Sequence, residues 1–588
     1  MGCGTSSASQ LETRGSIYIY YGTTTGNSSR LAFQFGNVAR NLKFIPKIIN
    51  LSEFNPKELI SCKLNVFFVS TYGMGSCTAD TESFNQWIFQ EERNKNEFQG
   101  MNYLIFALGS TNHQHYCEFG IRLDKRLEQL GAKRLCNLGK GDSAKDQTEN
   151  DYQQWINSEV EQTLQLLFPL YTCEQDQLDA TNIKIKITQE QENYLGDNLD
   201  FMAQKYINSI TFTVNEIKEL KLKPCRGNST LFLDLTNQEI EYRTAQNIAI
   251  YPQNSDSDID ELCSLLKLDK NIRFTIITTQ KQPFPNPISI YTYLKRYCDF
   301  SGLITKKQLI ELSNVRNQKD YQDELLHLAS FEGRDDYQKL FQNQKQNLLN
   351  LIKKYRINNL TLEKLIEIFP LIQPRYFTIS SSNKKYANNI HIMASQLVLN
   401  QERLGLCSSY FKTLKKGDLI KGYIQPSKFK LPKNSKVPTL LIGIGAGLAP
   451  LRGFIQERDY FIQKNQFDNC PFQGEMKLFY GCRTEAEYLF KDELQEYLNQ
   501  GSLSELKIAY SRKDPKQYVT ELITIDQLYQ HFNMDGILYI CGSTDLGRDI
   551  QMKISDMLEN YENSDPYQTD QKINELEENS QIITEFWG

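Results

Sequence analysis

The sequence predicts a multidomain α/β protein. Its 588 residues exceed what one hydrophobic core supports, so about three or four domains are expected. β-Branched and aromatic runs at 16–21, 66–70 and 103–109 are each followed by a turn and then an apolar-periodic stretch. That alternation of strand, turn and helix builds a parallel, doubly wound sheet. A further unit of the same kind stands at 439–457, after a β-rich stretch that opens at Pro374.

Composition narrows the class. A hydrophobic share of 40% with 23% charged residues is ordinary for a soluble globular protein, and a net charge of −5 argues against a nucleic-acid binder. The 13 cysteines contain no Cys-x-x-Cys pair, the usage of a reducing compartment. The five histidines form no cluster at metal-ligand spacing, so no metal is expected. No apolar run reaches the ~18–20 residues of a membrane helix. Met1–Ser6 matches a myristoylation signal at Gly2, with Cys3 open to palmitate. The expected location is cytoplasmic, with acylation as a route to the cytosolic face of a membrane.

In the first domain, strand Ser16–Tyr21 runs into Gly22–Ser29 (GTTTGNSS) and an apolar-periodic helix. A hydroxyl-rich loop that opens a helix is an anion site, and without a Gly-Lys-Ser/Thr ending it suits a single terminal phosphate. Strand Val66–Ser70 leads to Thr71-Tyr72-Gly73-Met74-Gly75. Strand Tyr103–Gly109 leads to a loop with His113 and Tyr116, then a helix expected to reach Arg134. Ligands of such sheets sit at the carboxyl ends of the strands, where aromatic loop residues can sandwich a planar ring.

These stretches (TTTGNS, STYGMG, FALGS and FGIRLDKRLEQLGAKRL…GKGD) resemble the flavodoxin module of the diflavin reductases, which binds FMN. The resemblance implies that Thr23, Thr24, Thr25, Asn27 and Ser28 hold the phosphate. It implies that Tyr72 stacks on the flavin and that Gly73, Gly75, Gly109 and His113 complete the pocket. His113 stands where the family usually has a second tyrosine. Ser76 and Ser143 stand where it has aspartate, and Cys77 where it has proline. The thinned acids imply an electron acceptor docked differently.

From Tyr171 to Asp200 the chain turns to Gln, Glu, Asp and Asn, with one alternating piece (NIKIKIT) that reads as a hinge or surface strand. Residues 205–370 mix strand-like pieces with helical stretches expected at Tyr291–Phe300, Lys307–Ser313 and Asp320–Tyr355.

Next, Arg375 offers a fork to a diphosphate, Phe377 shares its strand face, and Thr378 can bond a ring edge. These residues resemble the Arg-x-Tyr-Ser signature for FAD in the ferredoxin–NADP reductase family, and Gly405, Cys407 and Ser408 resemble its Gly-x-Cys-Ser loop. Gly445, Gly447, Ala449 and Pro450 follow a strand and open a helix, a turn that lets a diphosphate approach backbone. It resembles the family's NADPH loop, with Ala446 for threonine. Arg483 would meet the adenosine end, and Ser511, Arg512, Lys516 and Tyr518 would hold a 2′-phosphate. A polar stretch from Glu559 to Ser580 precedes Glu585-Phe586-Trp587, which resembles the family's Asp-Val-Trp ending. Trp587 would dock on the FAD ring where nicotinamide must go, while Thr378, Cys541 and Glu585 would line the transfer site.

The whole is expected to be an NADPH-dependent diflavin reductase with FMN, FAD and NADPH. The domains expected are a leader at 1–15, a flavodoxin-like FMN domain at 16–168 and a linker at 169–204. A FAD-binding β-barrel follows at 205–435, with a helical connecting insert at about 285–355, then a ferredoxin–NADP reductase-like NADPH domain at 436–588. Electrons would pass from NADPH to FAD, FMN and a haem or iron–sulfur protein. The alternative from another class is a catalytically lapsed flavin-fold scaffold at membranes, which His113 and Ala446 would favour.

Overall fold

In a computed structural model the chain forms two compact units, Met1–Thr181 and Asn182–Gly588. The structure describes all residues except 1–9, 24–26, 73–74, 91, 112–114, 145–147, 175–183, 189–208, 221–228, 278–283, 316–318, 331, 401–402 and 588. The readings placed on Gly2, Cys3, Thr24, Thr25, Gly73 and His113 therefore lie outside the described residues. Among those described, no helix is long and apolar enough to cross a membrane.

The first unit runs β1 (Gly15–Gly22), α1 (Asn27–Asn41), β2 (Phe44–Asn50), β3 (Leu64–Ser70), β4 (Asn102–Gly109), α2 (Glu118–Gln129) and β5 (Gly139–Asp142). The strands are parallel in the order β2–β1–β3–β4, with β5 and the short strand Lys133–Arg134 both on the outer side of β4. Ile17, Ile19, Val66, Phe67, Phe68 and Val69 have no exposure, because both faces of the sheet are covered. One face packs on Phe35 and Trp155, the other on Phe84 and Phe119. The chain reverses direction across the sheet at β1, which opens a crevice beyond the carboxyl ends of β1 and β3.

The helix expected to reach Arg134 stops at Gln129. Gly131 turns the backbone left-handed (φ +91°), its N–H and that of Ala132 close on the carbonyls of Glu128 and Leu127, and Lys133–Arg134 joins the sheet instead.

In the second unit six antiparallel strands form a sheet: β6 (Ile210–Glu219), β7 (Thr230–Thr236), β8 (Asn247–Ile250), β9 (Arg375–Thr378), β10 (Asn389–Ser395) and β11 (Leu419–Gln425). Their order is β9–β8–β11–β6–β7–β10, and a bridge between Ile379 and Ile392 closes the two ends into a barrel. Phe212, Leu233, Ile248 and Ile390 fill it. Between β8 and β9 a helical insert builds its own core, from Ile259 to Phe369. Its expected long helix at Asp320–Tyr355 is broken into Lys319–Ala329, Arg334–Tyr337, a π-turn at Gln338–Asn343 and Leu348–Tyr355. Asn347 restarts the helix with a reciprocal capping box to Asn350, which a continuous helix would forbid. The NIKIKIT stretch supplies strand Lys184–Thr188, paired with Arg273–Ile277 beneath the insert.

After α3 (Leu406–Thr413) and β11 comes a five-stranded parallel sheet. It holds β12 (Thr439–Ile444), then α4 (Leu448–Gln463), β13 (Met476–Cys482), α5 (Lys491–Asn499), β14 (Glu505–Tyr510), β15 (Ile537–Ser543) and β16 (Ile582–Trp587), in the order β14–β13–β12–β15–β16. The polar stretch at 559–580 is largely helical, and the aromatic ending is an edge strand parallel to β15.

A polar seam joins α4 to the barrel. Arg452, 4% exposed, donates Nε and Nη2 to Glu493 Oε2 (both 2.9 Å) and Nη1 to the Ser380 carbonyl (2.9 Å), and it stacks on Phe490. Glu493 also accepts from Tyr497 (2.6 Å) and Gln456 (2.9 Å). Burial pushes the Glu493 carboxyl up, but Arg452 and these donors outweigh it and leave it below the usual range.

Candidate functional site

In the first unit, loops gather at the carboxyl ends of β1, β3, β4 and β5. α1 starts at Asn27, which is exposed, and its first turn carries no acid, so the positive end of its dipole is left for an anion. Ser28 is fully buried, with Oγ 2.6 Å from Ser70 Oγ, and fixes the helix start to β3. The Thr23 N–H donates to both carboxylate oxygens of Asp80 (3.1 and 3.0 Å). Tyr72 and Ser76 exchange backbone hydrogen bonds (2.8 and 3.0 Å), which folds the Tyr72 loop into a hairpin that Gly75 turns at φ +90°. At Gly109 a Cβ would lie 2.6 Å from the Cys117 backbone nitrogen, so only glycine lets the β4 loop fold back.

Asp142, which ends the GKGD stretch of the flavodoxin resemblance, also stands here, with two residues that the sequence reading did not single out. Asp142, 5% exposed, accepts from the Thr111 N–H (2.9 Å), the Thr111 hydroxyl (2.7 Å) and the Ala144 N–H (3.0 Å), bracing the β4 and β5 loops together. His115 packs against Gly75, and among the described residues its buried Nε2 has no hydrogen-bond partner. Asp80 is the third. The Thr-x-Asp-Thr turn at 78–81 was the one local signal for it.

In the second unit, Arg375 and Phe377 share a face of β9. Arg375 donates to the Gln373 carbonyl (2.7 Å). Burial pushes the Cys407 thiol up to about 12, with the charge of Arg375 pulling the other way. Gly405 caps α3, whose first turn also lacks an acid. The Ser408 Oγ accepts from the Leu397 N–H (2.9 Å). The Phe377 ring lies 5.3 Å from that of Phe411, at the barrel core.

Strand register brings the expected transfer residues together. Thr378 lies opposite Asn247 across β9 and β8. Asn247 Nδ2 donates to Glu585 Oε1 (3.1 Å), with the Ser427 hydroxyl 3.5 Å from Oε2, and Glu585 lies opposite Cys541 across β16 and β15. Burial raises the Glu585 carboxyl above its ordinary value, against the pull of Asn247, Ser427 and Lys428. Cys541, with no exposure, has its thiol pushed far up by burial and then by Glu585. Trp587 pairs through its backbone with Ser543; its side chain lies outside the described part.

Beyond the carboxyl end of the central strand β12, Gly445 is exposed at φ +52° with open space where a Cβ would stand, and its carbonyl accepts from the Tyr480 hydroxyl (3.0 Å). Gly447, Ala449 and Pro450 are buried at the start of α4 and shape the turn from beneath. Arg483, Arg512, Lys516 and Tyr518 are exposed. The Ser511 N–H bonds the Cys482 carbonyl (3.0 Å) and the Arg512 N–H that of Arg483 (2.8 Å), which straps both cationic loops side by side.

Three domain families match along the chain: flavodoxin over 19–155, FAD binding domain over 205–410 and oxidoreductase NAD-binding domain over 441–552. The chain is 28% identical to the NADPH–cytochrome P450 reductase of Musca domestica, over 97% of this chain and 89% of that one. Against the enzymes of Bos taurus and Homo sapiens it is 28% and 26% identical, in each case over 92% of this chain and 84% of the other. The chain is a diflavin reductase. As a member of that family it is an NADPH-dependent oxidoreductase that uses FMN and FAD. The sites fit these groups. The starts of α1, α3 and α4 are free of acids, the Gly445 turn leaves room for a diphosphate, and beside Gly75 the buried His115 Nε2 has no hydrogen-bond partner among the described residues.

Proposed function

We propose that this diflavin reductase oxidises NADPH at the seam between barrel and parallel sheet and passes electrons through FAD and FMN to a haem protein. The observation that carries the reading is a chain of neighbours across two subdomains: Thr378 lies opposite Asn247, Asn247 donates to Glu585, and Glu585 lies opposite Cys541. Nicotinamide supplies two electrons as hydride, and the flavins can take up a pair and release it singly, as a one-electron haem acceptor needs.

The residues then take these parts. Arg375 and the start of α3 hold the FAD diphosphate, and Phe377 packs the flavin against the barrel. Asn247 aims the Glu585 carboxyl at the transfer point, where burial keeps it ready to carry a proton. Cys541, neutral and solvent-free, supplies a small wall that excludes water. Ser511, Arg512 and Lys516 grip the 2′-phosphate through charge-assisted hydrogen bonds that NADH cannot make. Thr25, Asn27 and the start of α1 hold the FMN phosphate, beside Tyr72. The relatives carry the name of cytochrome P450 reductases, and this supports a haem acceptor.

An anaerobic NADPH titration of the full chain, followed by flavin absorbance, tests the path. Uptake of about four electrons per chain, two per flavin, is expected. NADPH-dependent reduction of cytochrome c then tests the haem acceptor. Uptake by one flavin alone would refute the relay, and reduction of iron–sulfur proteins without any haem protein would refute the acceptor.

A further inference from the structure

We propose that Asp80 is a latch that presets the phosphate loop of the first unit for FMN. The inference rests on reading 22–29 as that loop. Asp80 lies in the short turn Ala79–Thr81 that follows the Tyr72 loop, 57 residues from Thr23 and 30 from Asn50 along the chain. Its carboxylate accepts from the Thr23 N–H through both oxygens, from Asn50 Nδ2 at the end of β2 (3.0 Å), from the Thr78 hydroxyl (2.5 Å) and from the Thr81 hydroxyl (3.3 Å). Asn50 is itself fixed, since its Oδ1 accepts from the Ser52 N–H (2.8 Å). One side chain thus ties together the ends of β1 and β2 and the segment after β3, the three places that frame the crevice.

Gly22 makes the latch possible. A Cβ there would lie 1.9 Å from Thr81 Oγ1 and 3.2 Å from Thr78 Oγ1, so the first glycine of the loop is the seat on which the 78–81 turn rests. The described donors to Asp80 are an amide N–H, a side-chain amide and hydroxyls, all neutral, and together they disperse its charge. The Thr23 N–H is committed to Asp80, and phosphate binding is left to groups farther along the loop and to the start of α1. A loop anchored at its first residue before the ligand arrives loses less freedom on binding, which appears as affinity.

The test uses the full chain stripped of FMN and titrated calorimetrically with FMN and with riboflavin, which lacks the phosphate. Asp80→Ala is expected to weaken FMN binding by about 10–100-fold, the range found when supports behind ligand-holding groups are removed. Riboflavin binding should be unchanged. Asp80→Asn, which keeps an acceptor for Thr23, should restore most of the affinity. Gly22→Ala, which pushes the turn off from the other side, should reproduce the loss. Equal weakening of FMN and riboflavin would reduce Asp80 to a general fold support and overturn the latch. A preference for FMN over riboflavin that survives intact in Asp80→Ala would overturn it as well. Wild-type chain that binds riboflavin as tightly as FMN would instead overturn the phosphate-loop reading beneath it.

Discussion

Replacing Arg452 by methionine should destabilise the second unit far more than the loss of one surface charge. The side chain is 4% exposed and meets Glu493 through two nitrogens and the Ser380 carbonyl through a third. Methionine fills much of the volume but leaves Glu493 ionised and largely buried, with only Tyr497 and Gln456 to solvate it. Breaking one side of such a pair costs about 3–5 kcal/mol. Glu493 keeps two hydrogen bonds and an edge to solvent, so the lower end, about 3 kcal/mol, is expected. Arg452→Met/Glu493→Gln removes the stranded charge and should lose only about 1–2 kcal/mol, a coupling the double-mutant cycle measures directly. The sign of the pH dependence follows from Glu493. Its folded value is depressed, so the pair stabilises above the unfolded value and the benefit fades as pH falls through the folded one. Urea unfolding followed by circular dichroism at neutral and acid pH provides the numbers. A single-variant loss below about 1 kcal/mol, or two single losses that add without coupling, would refute a buried, mutually dependent pair.

Other outcomes follow from single groups. Burial lifts the Glu577 carboxyl from its ordinary 4.5 to about 7, with Lys428 pulling back. The folded chain therefore holds an extra proton between those values and loses stability as pH rises through them. Glu577→Gln should then gain up to about 3 kcal/mol at pH 8 and nothing near pH 4.5, as melting temperatures at both pH values will show. Cys541 should resist iodoacetamide at pH 8 in the folded chain and react after denaturation; mass spectrometry that found it labelled within minutes in the native protein would contradict its burial. Arg512→Ala should raise KM for NADPH by about 10–100-fold, one charge-assisted bond's worth, and leave NADH kinetics unmoved. Equal effects on both coenzymes would remove Arg512 from the 2′-phosphate site.

The fold class was legible because strands buried on both faces spell continuous apolar runs, and because the turns that follow them need glycine or hydroxyl residues. Val66–Ser70 and Thr439–Ile444 each show both signals. Helix ends were less legible. Periodicity continues past Gln129 and through Asp320–Tyr355, while the breaks depend on local caps at Gly131 and Asn347. The supports of the candidate site were the least legible. Asp80 meets Thr23 across 57 residues and Asp142 meets Thr111 across 31, distances at which no local pattern operates. Ser28 reads as a phosphate ligand from its loop, yet its burial against Ser70 is visible only once β3 lies beside the start of α1.

Asn247 and Glu585 are separated by 338 residues, and this spacing sets an order of assembly. As the polypeptide leaves the ribosome, β8 emerges first, the whole helical insert follows, and the carboxylate that Asn247 holds is made 338 residues later. Until then the barrel can close while the place where hydride would cross has no acid and no covering strand. If Glu585 acts as proposed, a ribosome stalled before β16 should yield a chain whose barrel is folded and which does not oxidise NADPH.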